Sequence, residues 1–183
     1  MATSTEPPFN NYATTNVSGN VAGARGISNY LVGKNVHFQA YARAVDQSMG
    51  SQRIWVVETD QTVANMGASD SPTGNYIGFR YSTSAPDSNW KCVMDNNSVT
   101  NTVVDSGIAA DANGHRFEVL MNDTGSAGSA TFRIDGKAVC AVVSALYPTN
   151  NTLLSMEFAV TTLTTGVRDI QFSRLDSFQD PRR

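Results

Sequence analysis

The sequence predicts an all-β fold: two antiparallel sheets stacked as a jelly-roll sandwich, with little or no helix. Three observations carry this. Several runs alternate apolar and polar residues at a period of two. Clusters of Gly, Asn, Asp and Ser separate these runs at short intervals. No segment of useful length has a helical period, and there is neither an internal repeat nor a heptad pattern. Each half-wet sheet must bury its apolar face, so ten to twelve short strands make a sandwich the natural architecture.

Taken in order, residues 1–16 are rich in Thr, Ser, Asn and Pro, and read as a polar arm. Residues 17–31 contain Gly19, Gly23 and Gly26 and predict one or two short edge strands. In 36–45, Val36, Phe38, Ala40, Ala42 and Ala44 share one face. His37, Gln39, Tyr41 and Arg43 share the other, so His37 reads as a solvated strand residue. The run RIWVVET (53–59) is almost continuously apolar, which predicts a central strand. Residues 61–75 form a long loop, and loops of that length are often functional or mobile.

Strands follow at 76–81 and 90–94, then a Thr- and Val-rich one at 97–104, turned by Asp105-Ser106-Gly107. In the next strand His115, Phe117, Val119 and Met121 form the apolar face. Asp135-Gly136, flanked by alternating apolar residues, is the strongest short-range hairpin signal, because a tight type I′ turn needs positive φ at both positions. Strands at 154–160 and 168–175 complete a single sandwich domain over 17–178, with a polar tail at 179–183.

The chain has 183 residues, enough for one core without a metal or disulfide staple. A net charge of −3 and only 16% charged residues argue against a nucleic-acid binder. The start, MATSTEPPFNNY, has no signal-peptide pattern and predicts a protein made and kept, or assembled, in a cytoplasm. Cys92 and Cys140 lie in apolar runs and read first as buried small hydrophobes. The open alternative is a disulfide between neighbouring strands. Two Cys and two distant His cannot complete a four-ligand zinc site.

The runs YIGFRY, NWKCVMD, TVVDSGIAAD, GHRFEVLMN and FRIDG appear in this order within 35–176. Together they resemble the concanavalin A-like lectin/glucanase sandwich. More narrowly, they are similar to modules of that fold in tailed-bacteriophage virion proteins. The resemblance implies a non-catalytic structural protein of a virion, assembled in the host cytoplasm. Size and layout favour a capsid decoration or head-surface role. The partners implied are capsid or tail proteins, further copies of the chain, and a host-surface glycan. A carbohydrate-binding adsorption module of a tail or fibre is the alternative, and a glycoside hydrolase stands third.

Glucanases of this fold resemble Glu-x-Asp-x-x-Glu on a strand, with two carboxyls flanking one glycosidic bond. Here Glu58-Thr59-Asp60 is the nearest match, but Val63 stands where the last Glu belongs, so no enzyme activity is expected. The best oxygen-rich loops, Asp87-Ser88-Asn89 and Asp95-Asn96-Asn97, are explained equally by turn chemistry, so neither calcium nor any other cofactor is expected. Glycan binding needs only an aromatic platform with polar neighbours. The candidates are Tyr41, Trp55, Tyr76 and Trp90, with Tyr41 the least core-like.

Overall fold

The computed structural model describes residues 10–44, 49–122 and 128–178, without the side chains of 27–29 and 173–177. Among the described residues, twelve strands build two six-stranded antiparallel sheets. The first sheet contains β1 (Asn10–Ala13), β3 (His37–Ala44), β8 (His115–Asn122), β9 (Ser129–Ile134), β10 (Lys137–Val143) and β12 (Asp169–Phe178). Its spatial order is β1-β12-β3-β8-β9-β10. The second contains β2 (Val21–Leu31), β4 (Gln52–Thr59), β5 (Asn75–Ser82), β6 (Asn89–Asn96), β7 (Thr102–Ala109) and β11 (Leu153–Thr162). Its order is β2-β11-β4-β5-β6-β7.

The core lies between the sheets. Phe38, Ala40 and Ala42 of β3 and Phe117, Val119 and Met121 of β8 point inward, as their alternation predicts. They meet Ile54, Val56, Ile77 and Phe79 of the second sheet. Phe79 packs edge-on against Phe132 at 5.5 Å and tilted against Phe117 at 5.0 Å, geometries that suit the ring quadrupole.

Local chemistry explains most of the remaining elements. Asp135 and Gly136 hold φ of 53° and 80°, so the tight hairpin between β9 and β10 forms as expected. Asp105-Ser106-Gly107 does not end a strand. Gly107 adopts φ of 69° within β7, its N–H donating to Asp105 at 2.7 Å, and the β6–β7 register shifts between Asn89 and Lys91. The turn signal marks an irregularity inside the ladder. The Gly-rich stretch 21–31 is one long edge strand, where one or two short ones were expected. Residues 10–13 of the expected arm pair with β12, while 1–9 lie outside the described residues.

Cys92 and Cys140 form a disulfide, with Cα atoms 6.6 Å apart. This corrects the first reading of two separate thiols. The bond does not join neighbouring strands. It crosses the core from β6 in one sheet to β10 in the other.

Candidate functional site

The second sheet has an outer face, turned away from the core. Antiparallel register assigns its residues. Trp55 of β4 stands opposite Arg80 of β5 and Ala159 of β11. Val57 stands opposite Gly78 and Glu157, and Glu157 opposite Arg25 of β2. Thr59 faces Tyr76, which faces Asp95 of β6. Since side chains alternate along a strand, Arg25, Arg53, Trp55, Tyr76, Arg80, Asp95 and Glu157 all project from this one face.

Residues 60–75 cross that face and close it. Within them, Val63–Ala68 forms a short helix, α1, where the sequence reads as loop. Thr62 caps it, accepting from the Asn65 N–H at 3.3 Å. Six residues are too few to nucleate a helix unaided, so packing must hold it. Met66 sits in a second apolar cluster with Trp55, Val57, Tyr76, Val93 and Ala159. Gly23 and Gly67 let the covering segment approach closely. A Cβ on Gly67 would lie 2.4 Å from Val21, and one on Gly23 would lie 2.9 Å from Val63.

Polar contacts pin the segment. Arg53 donates from Nε to Asp70 Oδ1 at 2.6 Å and from Nη1 to the Gly67 carbonyl at 2.7 Å. Ser84 Oγ donates to Asp70 Oδ2 at 2.6 Å, and Arg80 Nη1 donates to the Asp70 carbonyl at 2.6 Å. Burial works against ionised Asp70, but hydrogen bonds from Arg53, Ser82 and Ser84 prevail and hold its carboxyl down at about 2. Arg80 is also gripped by both oxygens of Asp87, at 3.1 and 3.2 Å. Even so, burial raises the Asp87 carboxyl against that attraction.

Beneath the segment lies Glu157, fully buried, with neither carboxyl oxygen hydrogen-bonded. Burial pushes this carboxyl up to about 8. Arg25 is 4.0 Å away, the outer limit of an ion pair, which opposes the shift without cancelling it. The Arg25 guanidinium instead serves the carbonyls of Thr59, Asp60 and Gln61. Burial therefore favours the uncharged form of Glu157. Above the segment is a hollow of about 420 Å³, lined by Gln61, Asn65, Ala68, Ser69, Ser71, Pro72 and Thr73. That lining contains no acid or base, so it offers no proton-transfer chemistry.

The residues singled out from sequence scatter. Trp55 and Tyr76 reach the outer face, where their rings meet edge-on at 5.5 Å, but both are fully buried under the segment. Trp90 is in the inter-sheet core against Phe117. Tyr41 is half-buried on the outer face of the first sheet, with Gly114 leaving room for its hydroxyl. Glu58 and Asp60 do share a side of the chain. It is the side of Ile54 and Val56, turned into the sandwich. Asp60 fixes the entry to the covering segment, accepting from the Asn75 N–H at 3.1 Å and from Asn75 Nδ2 at 2.8 Å. Asp87 answers Arg80, and Asp95 accepts from the Ser98 N–H at 2.9 Å. Among the described residues, no group of three or more His, Cys, Asp or Glu could hold a metal ion.

The sequence reading missed Glu157, Arg53 and Arg80. A signal was available: Glu157 is the lone charge in LLSMEFAVTT, an otherwise apolar and hydroxyl-bearing strand.

No family model matches the chain. No curated protein matches it either. Solved structures do. A β-glucanase from Bacillus licheniformis superposes with a TM-score of 0.57 at 11% identity, covering 90% of this chain and 76% of its own. An alginate lyase in complex with dimannuronate gives 0.61 at 12% identity, covering 92% and 73%. The carbohydrate recognition domain of Emp46p gives 0.60 at 7% identity, covering 93% and 82%.

These neighbours correct the expectation of a non-catalytic virion protein. Structures named as a glycosidic hydrolase, a β-glucanase and an alginate lyase share this architecture. None of these names carries a phage context. At such low identities the likeness establishes the fold alone, and that fold is the concanavalin A-like jelly-roll sandwich shared by glycoside hydrolases.

Proposed function

We propose that this chain is a carbohydrate-active enzyme that cleaves a polysaccharide on the outer face of the second sheet, with Glu157 as proton donor. The observation that carries the reading is the state of Glu157. Its carboxyl is buried, without a hydrogen bond, and pushed up to about 8. A carboxyl held neutral at pH 7 is what a general acid requires. When the glycosidic C–O bond breaks, the departing oxygen keeps the electron pair and takes the Glu157 proton, while water adds at the sugar carbon and loses a proton to solvent, from which Glu157 is reprotonated for the next turnover. The carboxylate left behind stands beside the Arg25 guanidinium, 4.0 Å away.

Two features shape this reading. The neighbouring acid Glu58 lies opposite Met156, one position out of register with Glu157, and so points to the other side of the sheet. The mechanism therefore does not use the paired-carboxylate geometry of retaining glycosidases, about 5–5.5 Å apart. Second, residues 60–75 must lift for a sugar to reach Glu157. Of the partners expected from the sequence, a glycan fits this reading.

The test is reducing-end release from mixed-linkage β-glucan and from alginate, by the wild-type chain and by Glu157→Gln. Loss of a general acid should lower turnover by about 10²–10⁴-fold on whichever polymer is cleaved. Equal turnover by the two proteins, or binding by both with no cleavage by either, would overturn the assignment.

A further inference from the structure

We propose that residues 61–74 are a self-inhibiting cover, in which Asp70 holds the place of a ligand carboxylate, and that the face beneath takes an acidic, uronate-bearing glycan. This rests on the reading of that face as the sugar site and names its substrate class.

The polar groups divide between the sheet and the cover. Arg53 and Trp55 stand on β4 and Arg80 on β5, with Ser84 just beyond β5. All of these stay in place if the segment lifts. The segment contributes the Asp70 carboxylate and the carbonyls of Gly67 and Asp70. Removing it uncovers Nε and Nη1 of Arg53, beside the Ser84 hydroxyl that Nη2 still holds at 3.1 Å. Nη1 of Arg80 is freed too, while Asp87 keeps that guanidinium oriented through its other two nitrogens. One fixed guanidinium and a hydroxyl around the vacated carboxylate position, with the Arg80 guanidinium at the adjoining carbonyl position, make a fork for a planar anion.

The fork lies beside a ring suited to a sugar face. The Arg80 guanidinium sits 6.0 Å from the Trp55 ring centroid, and Tyr76 stands edge-on to the same indole. A pyranose on Trp55 would bring a ring-attached carboxylate to the arginines. A neutral glucan would lie over Arg53 without answering its charge. Arg53, Ser82 and Ser84 together hold Asp70 ionised against its burial, so this position favours a carboxylate.

The test compares the full wild-type chain with Asp70→Asn and Met66→Ala. The first removes the competing charge. The second loosens the cover through packing alone and leaves the arginines untouched. Hydrogen exchange reports the cover and calorimetry reports binding, with tetramannuronate and a mixed-linkage β-glucan tetrasaccharide as probes. Amide exchange at 63–68 should be at least tenfold faster in both variants, with β4 and β11 still protected. Tetramannuronate should bind each variant at least tenfold tighter than wild type, with no gain for the neutral probe. Adding Arg53→Gln to Met66→Ala should abolish the gain.

Unchanged exchange in both variants would overturn the cover. Faster exchange with a gain for the neutral probe only would overturn the uronate assignment while leaving the sugar face standing. Faster exchange with no gain for either probe would overturn both.

Discussion

Replacing Glu157 with glutamine should remove a large part of the pH dependence of stability. The side chain is fully buried, and its carboxyl lies at about 8 in the folded chain against an ordinary 4.5. A folded value above the unfolded one means that folding favours the protonated form. The stabilisation is complete below pH 4.5 and drains away as pH rises, until the folded carboxyl also ionises near 8. At 1.36 kcal/mol per pH unit, the whole span is worth about 5 kcal/mol, of which about 4 falls between pH 5 and 9. For a domain of this size that is a fall in Tm of about 8–16 °C. The groups facing Glu157 are Arg25 from β2 and the neutral side chain of Val57 from β4. The amide of Glu157→Gln would match the protonated acid in shape and carry no proton to lose. The assay is thermal unfolding of both proteins at pH 5, 7 and 9. The two should be alike at pH 5, and the variant should be the more stable by about 4 kcal/mol at pH 9. His37, whose imidazole is lowered by burial, titrates in both proteins and cancels in the difference. Parallel curves from pH 5 to 9 would refute the claim that Glu157 is buried as a neutral acid.

Two further outcomes follow from packing and connectivity. Cys92→Ser/Cys140→Ser should lower Tm by about 8–16 °C, because the bridge closes a loop with a sequence separation of 48, worth about 4 kcal/mol of chain entropy; calorimetry with and without reductant checks it, and reductant should lower the wild-type Tm alone. Gly23→Ala should cost about 1–3 kcal/mol, because its Cβ would stand 1.9 Å from the Phe158 carbonyl oxygen, whereas Gly26→Ala on the same strand, with its nearest contact at 3.5 Å, should stay within about 0.5 kcal/mol in urea unfolding.

Alternation made the sandwich legible. The strand around Phe38 and Ala40, the strand around Phe117 and Val119, and the Asp135-Gly136 turn all follow from period two and from φ preferences acting within a few residues. The site was not legible, because it depends on which strands become neighbours. Nothing local puts Glu157 beside Arg25, since 132 positions separate them in the chain and only the β2–β11 ladder brings them together. The same holds for Arg53 and Asp70, which need residues 61–74 to fold back across β4. Helix α1 spans six residues, less than two turns, too short for a 3.6 period to register. The burial of two aromatics was hidden for a related reason. Trp55 and Tyr76 stand on the face that a strand pattern leaves open to water, and only the segment that folds over them closes it.

The Cys92–Cys140 bond ties the protein's final form to where it is made. It is a rivet through the sandwich, and its thiols lie in the packed interior, so it must close while the two sheets are coming together. Glutathione-rich surroundings keep such thiols reduced, and oxidising ones let them join. Material recovered from a reducing cytosol and material recovered from a periplasm will therefore be two chemical species of one chain, separable by mass.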